Sequence, residues 1–239
     1  MLEINNWDNK TWLSSHKYIK SFNFFLLKQK KLNKSSKILD IGCGRGKILG
    51  TLSSKLGLKN KPLGIDITNH KDKDKRIRFR KIDASSFFLK NKSKFDLILI
   101  KQTIHLLDLK EIKKLLILSK KNLSQNGRIF IFTLDPDKNE LPTFKLMKKK
   151  LIKSLNRDKE ILKIITKLYP CRIKKKFIYK VEIFKKKYLK MIQNRYISTL
   201  LSLSKKKLLK GVEEINLKYK NNIIRFNDKL ICIIIKNAS

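Results

Sequence analysis

The sequence predicts an α/β protein built on a doubly wound, mostly parallel sheet. Three observations carry that expectation. Short apolar bursts of strand length alternate with stretches at helical spacing, the early bursts end in aspartate or glycine, and a glycine-rich turn follows the first of them. Residues 14–29 place Tyr18, Phe22, Phe25 and Leu26 on one helical face, so an amphipathic helix precedes the core. Residues 37–41 form a first strand, and residues 47–56 a helix closed by Gly57. A second strand spans 62–67, and a charged connection around His70 leads to a third over 77–82. Residues 95–100 are apolar nearly throughout, as expected of a strand covered on both faces. Asp108 and Glu111, three apart, predict a capping box that opens a helix over 109–121. Asn126-Gly127 is read as a turn and 128–134 as a fifth strand. Beyond Pro142 the rhythm lengthens. A helix is expected over 143–155, a second pattern ends at Pro170, and an extended segment follows over 172–184. Two helical stretches come next, over 185–201 and 205–218. Residues 223–226 and 230–235, separated by Asn227-Asp228-Lys229, read as a terminal hairpin or as a final strand with an extended lead. With no internal repeat and no Gly/Ser/Pro linker, one domain over 1–239 is expected, made of an N-terminal helix (14–33), a core (35–135) and a helical insertion (184–220).

Composition bounds the function. The chain has 239 residues, 59 Lys+Arg against 19 Asp+Glu, and a formal charge of +40. At 41% hydrophobic it has the apolar mass for a core, which excludes a disordered polycation. Such a charge invites a nucleic-acid partner. The excess is lysine, however, and only nine of the basic residues are arginine, the side chain suited to bidentate recognition. Lys, Ile and Asn also share A- and T-rich codons, so a biased genome alone produces this composition. Solvated lysine faces are the first reading and an RNA surface the second. No apolar run approaches the roughly 18 residues of a spanning helix, and Met1–Asn5 lack a secretory pattern. The three cysteines, Cys43, Cys171 and Cys232, are odd in number and widely spaced. Neither a disulfide framework nor a CxxC metal site is written in them, and a reducing cytoplasm is expected.

The most informative stretch is Asp40-Ile41-Gly42-Cys43-Gly44-Arg45-Gly46. Alternate glycines after a strand permit a tight turn and close approach of backbone to a ligand. The spacing is neither GxGxxG nor a Walker A loop. Asp40, Asp66 and Asp83 each fall where a parallel strand ends, and open α/β sheets bind ligands at those carboxyl ends. Turn capping is the alternative for each of them. Asp96, at the amino end of its strand, is read as structural, and Cys43 as a small loop filler without a base beside it.

These residues resemble motif I of the class I S-adenosylmethionine-dependent methyltransferases, acidic-x-Gly-x-Gly-x-Gly, matched in full by Asp40, Gly42, Gly44 and Gly46. The resemblance continues in order through Asp66, Asp83-Ala84, Phe95-Asp96-Leu97-Ile98 and Leu123-Ser124-Gln125-Asn126-Gly127-Arg128, with Gln-Asn where the family has Pro-Gly. It implies a seven-stranded Rossmann-like sheet with a C-terminal helical insertion before the last strand, and S-adenosyl-L-methionine as cofactor. It further implies that Asp66 holds the ribose hydroxyls and that Asp83 and the Ala84 backbone meet the adenine. Lys101, where the fourth strand ends, joins the same cofactor set. One departure stands out: the helix usual after Asp66 is shrunken or absent.

The acceptor is encoded less directly. Residues 100–107 lack the (Asn/Asp)-Pro-Pro-aromatic loop of base-amine methyltransferases, and the segment resembles the type 11-like small-molecule group. That likeness makes His105 a candidate base or acceptor-positioning group; an ordinary histidine at a helix start is the alternative. His16, in a helix that often lids such sites, is a candidate acceptor contact, while His70, among charges, is read as solvated. Arg195, in a stretch similar to that group's insertion, is a candidate clamp for an acceptor carboxylate, with a surface ion pair equally open, and Tyr196 is read as core. The expected function is therefore methyl transfer to a small molecule, one bearing a carboxylate if Arg195 is a clamp. An RNA (tRNA or rRNA) methyltransferase and a cofactor-binding protein without catalysis are the alternatives. No membrane partner is expected.

Overall fold

The structure, a computed structural model, describes residues 11–237; the N-terminal stretch Met1–Asn5 discussed above lies outside them. A seven-stranded sheet has the order β3-β2-β1-β4-β5-β7-β6. Its strands are β1 (Ile38–Ile41), β2 (Leu63–Asp66), β3 (Arg78–Lys81), β4 (Phe95–Lys101), β5 (Leu123–Leu134), β6 (Ile173–Phe184) and β7 (Ile223–Lys236). The first five pair in parallel, and β7 runs antiparallel to both β5 and β6.

The double winding follows from alternation along the central strands. Leu97 and Leu99 of β4, with Phe130 and Phe132 of β5, enter one apolar layer. Ile98 and Ile100, with Ile129 and Ile131, enter the other. Helix α1 (His16–Gln29) presents Tyr18, Phe22 and Leu26 to the first layer, and α2 (Lys47–Leu56) adds Leu49 and Leu52. Helices α3 (Ala84–Lys90) and α4 (Leu109–Lys121) cover the second layer through Phe87, Phe88, Ile112, Leu115 and Leu116. The Asp108–Glu111 capping box is formed as its spacing predicts.

Four details differ from the sequence reading. The helix expected over 143–155 and the pattern after it are one helix, α5 (Lys145–Leu168). Residues 156–159 hold no Gly or Pro to end the helix, and Asp158 turns inward, 3% exposed. Burial pushes that carboxyl up to about 7. The helix expected over 185–201 stops at Gln193, because Arg195 takes a left-handed φ of 53°. Asn126-Gly127 lies within the irregular start of β5, where the register to β4 shifts, and is not a separate turn. Finally, β7 runs unbroken through Asn227-Asp228-Lys229, which pair with Lys180, Tyr179 and Ile178 of β6, so no terminal hairpin forms. Tertiary pairing overrides turn-like composition there. The edge strand β6 carries Lys174, Lys175, Lys176 and Lys180, charges that discourage edge-to-edge association.

Between β6 and β7 lie α6 (Lys185–Gln193) and α7 (Lys205–Lys218), whose Tyr188, Met191, Ile192, Leu208 and Ile215 join the first layer. No helix connects β2 and β3, which matches the departure noted in the sequence. The connection is held instead by buried Asp74, paired with Arg76 at 2.7 Å and Lys47 at 3.8 Å. His70, expected in solvent, is buried in this connection, 6% exposed. Among the described residues no helix is long and apolar enough to cross a membrane.

Candidate active site

The glycine turn sits over the carboxyl ends of β1 and β2. The Gly42 and Cys43 amides both donate to the Ile65 carbonyl, at 2.9 and 3.1 Å, which hooks the turn onto β2. Gly42, Gly44 and Gly46 are all left-handed, with φ of 70°, 54° and 71°. At Gly42 a Cβ would overlap the Thr103 side chain from the segment after β4, whereas at Gly44 it would meet nothing within 4 Å. Gly42 is thus wedged against the sheet, and Gly44 faces open space beside backbone N–H groups, the side left to a ligand. Cys43 packs over Gly64 of β2, and burial pushes its thiol up, so it is inert packing.

Asp66 ties this turn to the next connection. Its Oδ2 accepts from the Gly44 amide at 2.8 Å and its Oδ1 from the Thr68 amide at 2.9 Å. Each oxygen keeps acceptor capacity beyond one bond, enough for a vicinal diol. Asp83 caps α3, accepting from the Ser86 amide at 2.9 Å, and the Ser86 side chain, then that amide, lower its pKa below the usual carboxylate range. Its exposed carboxylate keeps further acceptor capacity beside the Ala84 amide, in the first turn of α3. Asp40 differs from both. It is 4% exposed, and burial pushes it up to about 8, with Lys101 pulling the other way and Asp66 adding to the rise. The folded protein therefore holds a proton that the unfolded chain releases, and this group's contribution to stability is lost as pH rises from about 4 to about 8. Asp40→Asn is expected to melt with wild type near pH 4. Near pH 9 it should melt above wild type, by roughly 2–4 °C for each kcal/mol of penalty removed. Thermal melts at the two pH values check this, and equal differences at both would detach Asp40 from that titration.

Lys101 ends β4 at the centre of these groups. Its ammonium lies 5.4 Å from the Tyr18 ring centroid and 5.5 Å from that of Phe22, and donates to Gln102 Oε1 at 3.1 Å. Gln102 is left-handed, with a φ of 52°, unusual for its residue type and placed where the chain leaves the sheet at the site. The same ammonium acts on a carboxylate that the sequence reading missed, Asp228 of β7, which accepts from Trp12 Nε1 at 3.0 Å. The only local signal there, Asn-Asp-Lys, pointed to a turn. Trp12, Tyr188, Tyr196 and Phe226 form one packed aromatic group, and Tyr196 is core as expected.

His105 lies in a short turn, Ile104–Leu106, after Thr103. Burial, and then the charge of Arg157, lower its pKa to about 4, so the imidazole is neutral at physiological pH and a weaker base than a free histidine. Arg157 of α5 also donates to the Leu107 carbonyl and so fixes the far end of this segment. His16 is exposed at the first residue of α1. Arg195 holds the turn after α6, donating to the Leu203 carbonyl at 3.0 Å. The structure thus brings Asp40, the glycine turn, Asp66 and Lys101 together, and it places Arg195 within the insertion. Asp96, as expected, is structural, accepting from the Lys37 amide and the Ser124 hydroxyl. Among the described residues no group of three His, Cys, Asp or Glu is placed to hold a metal ion.

The fold has known counterparts. A family profile described as a methyltransferase domain matches residues 32–196. A methyltransferase from an antibiotic biosynthesis pathway of Anabaena variabilis aligns at a TM-score of 0.63 and 16% identity, covering 88% of this chain and 95% of its own. The plantazolicin methyltransferase BpumL, solved with a desmethyl substrate analogue and S-adenosylhomocysteine, aligns at 0.54 and 19% identity, over 98% and 89%. The N-methyltransferase NodS of Bradyrhizobium japonicum, with S-adenosylhomocysteine, aligns at 0.51 and 12%, over 97% and 93%. At these identities the likeness is one of fold. A sequence search of curated proteins finds no match.

Proposed function

The chain belongs to the methyltransferase domain family, a class I S-adenosylmethionine-dependent fold, and from that premise we propose that it transfers a methyl group to a small-molecule acceptor. The carrying observation is the Gly44–Asp66 pair: a left-handed glycine open to solvent, bonded at 2.8 Å to a carboxylate that still has acceptor capacity. Asp66 would hold the ribose, Asp83 with the Ala84 amide the adenine, and the turn from Gly42 to Gly46 the remainder. When bound, S-adenosylmethionine supplies a sulfonium methyl activated for in-line displacement. The protein's own part is to hold the acceptor against that methyl and to exclude water. Where the acceptor must lose a proton, His105 takes it on a neutral imidazole nitrogen.

A small acceptor is supported by what covers the strand ends, namely α1, the Trp12 cluster and the insertion, all packed in one apolar layer. The lysine-lined groove of the insertion, about 730 Å³ beside Lys185, Lys186 and Lys190, belongs to its outer side, because Tyr188, Met191 and Ile192 of the same helix point inward. A carboxylate on the acceptor is the weaker part of this reading, since Arg195 is engaged with Leu203. A cytoplasmic setting is part of it, in keeping with three free cysteines.

Transfer of labelled methyl from S-adenosylmethionine to pools of small metabolites is the direct test. Cofactor binding without transfer to any pool would make this a binding protein, and tight retention of bulk tRNA at physiological salt would move the acceptor to RNA. His105→Phe is expected to lower the transfer rate about 100-fold while leaving S-adenosylhomocysteine affinity unchanged by calorimetry. Loss of both together would make His105 structural.

A further inference from the structure

The strand ends hold a second buried carboxylate that the proposed chemistry does not use. Asp228 is 1% exposed and lies opposite Tyr179 in the β6–β7 ladder. The Trp12 indole N–H, the Tyr18 hydroxyl and the Lys101 charge act on it, and the Trp12 and Tyr18 rings belong to aromatic clusters. Trp12 packs against Tyr196 at 5.4 Å and Phe226 at 5.1 Å between centroids, and Tyr18 against Tyr179 at 5.0 Å. Burial pushes the Asp228 carboxyl up, while the Trp12 hydrogen bond and the charge of Lys101 pull it back. An enclosure of this kind, electron-rich rings around a desolvated carboxylate, suits a positively charged nitrogen. The resting protein already places one there: the Lys101 ammonium lies over Tyr18 and Phe22, and its charge acts on both Asp40 and Asp228. Because Asp40 keeps its proton at neutral pH, Asp228 is the buried carboxylate on which this ammonium acts.

We propose that Asp228, walled by Trp12 and Tyr18, is the specificity-determining residue of the acceptor site and receives a positively charged nitrogen, so that the acceptor is a small molecule bearing an amine or guanidine. This rests on the methyltransferase reading. The nitrogen held by Asp228 is the recognition handle; the methylated atom is a separate matter. Docking requires Trp12 to give up its bond to Asp228 or to share the carboxylate, which has acceptor capacity for both.

The test is calorimetry on full-length protein saturated with S-adenosylhomocysteine, using benzylamine and benzyl alcohol as probes of equal shape and different charge. Benzylamine is expected to bind about tenfold more tightly or better, and Asp228→Asn to remove that preference while benzyl alcohol and S-adenosylhomocysteine affinities stay within about twofold. Asparagine keeps an oxygen for Trp12 Nε1, which protects the fold. Trp12→Phe, which drops that donor and keeps the carboxylate, is expected to preserve the preference. Equal binding of the probes to wild type, no binding of benzylamine, a preference that survives Asp228→Asn, or its loss in Trp12→Phe would each overturn the assignment. Failure of wild type to bind S-adenosylhomocysteine would instead remove the methyltransferase reading beneath it.

Discussion

Asp66→Ala is expected to weaken S-adenosylhomocysteine binding by about 100-fold or more, with the melting temperature little changed. The carboxylate sits on the last residue of β2 and is aimed by two backbone amides, Gly44 and Thr68. Hydrogen bonds to a charged acceptor contribute about 1.5–3 kcal/mol each, and a ribose diol would make two, which places the loss at roughly 3 kcal/mol at the least. The turn also loses its tie through Gly44, so part of the effect is poorer preorganisation of the loop. Asp66→Asn keeps one acceptor oxygen and the shape, and should fall between alanine and wild type. Calorimetry with S-adenosylhomocysteine reads all three, and an alanine variant that binds like wild type would exclude Asp66 from the cofactor site.

Gly42→Val should damage stability most among single changes in the turn, by about 2–5 kcal/mol. The left-handed backbone at φ 70° costs a non-glycine residue about 1–2 kcal/mol, and forcing a side chain into packed space about 1–3 more. The overlap falls on Thr103, whose hydroxyl donates to the Lys101 carbonyl at 3.1 Å, so the clash would shift the segment that carries both Lys101 and His105. Urea denaturation measures the loss. Gly42→Ala with Thr103→Gly should recover the steric part and leave the backbone part. Full recovery would show that φ at this position carries no penalty, and no recovery would show that Thr103 is not the obstacle.

The residues that made the fold legible were those whose signal is local. The glycines after β1, the Asp108–Glu111 box and the apolar run of β4 each specify their element within a few residues, and each formed as expected. The reading weakened where the decision is made from a distance. Asp158 broke the amphipathic pattern of α5 because an inward-facing aspartate has no sequence signature. Asn227-Asp228-Lys229 satisfied every rule for a turn, yet β6 supplies a partner for each of the three and keeps the strand straight. That is also why Asp228 went unrecognised. A buried carboxylate on β7, one strand in from the edge, is identified by Trp12, which lies 216 residues away in sequence. Among the candidates, Asp66 and the glycines were readable because they sit beside their own strand ends and bond to one another there. Trp12, Lys101 and Asp228 come from segments that meet only in three dimensions, and sequence spacing says little about them.

The placement of β7 also governs how the molecule is made. This strand is the last of the seven to leave the ribosome, yet it belongs between β5 and β6 and pairs with both. Until it arrives, the nascent chain carries two long strands with unpaired edges and a Trp12 without its acceptor. The glycine turn and its four neighbouring strands can assemble during synthesis, whereas the Trp12–Asp228 side closes only afterwards, through pairings of large sequence separation that form slowly. Stalled or clipped chains would therefore expose β-edges, and the lysines along β6 are placed to keep such intermediates apart.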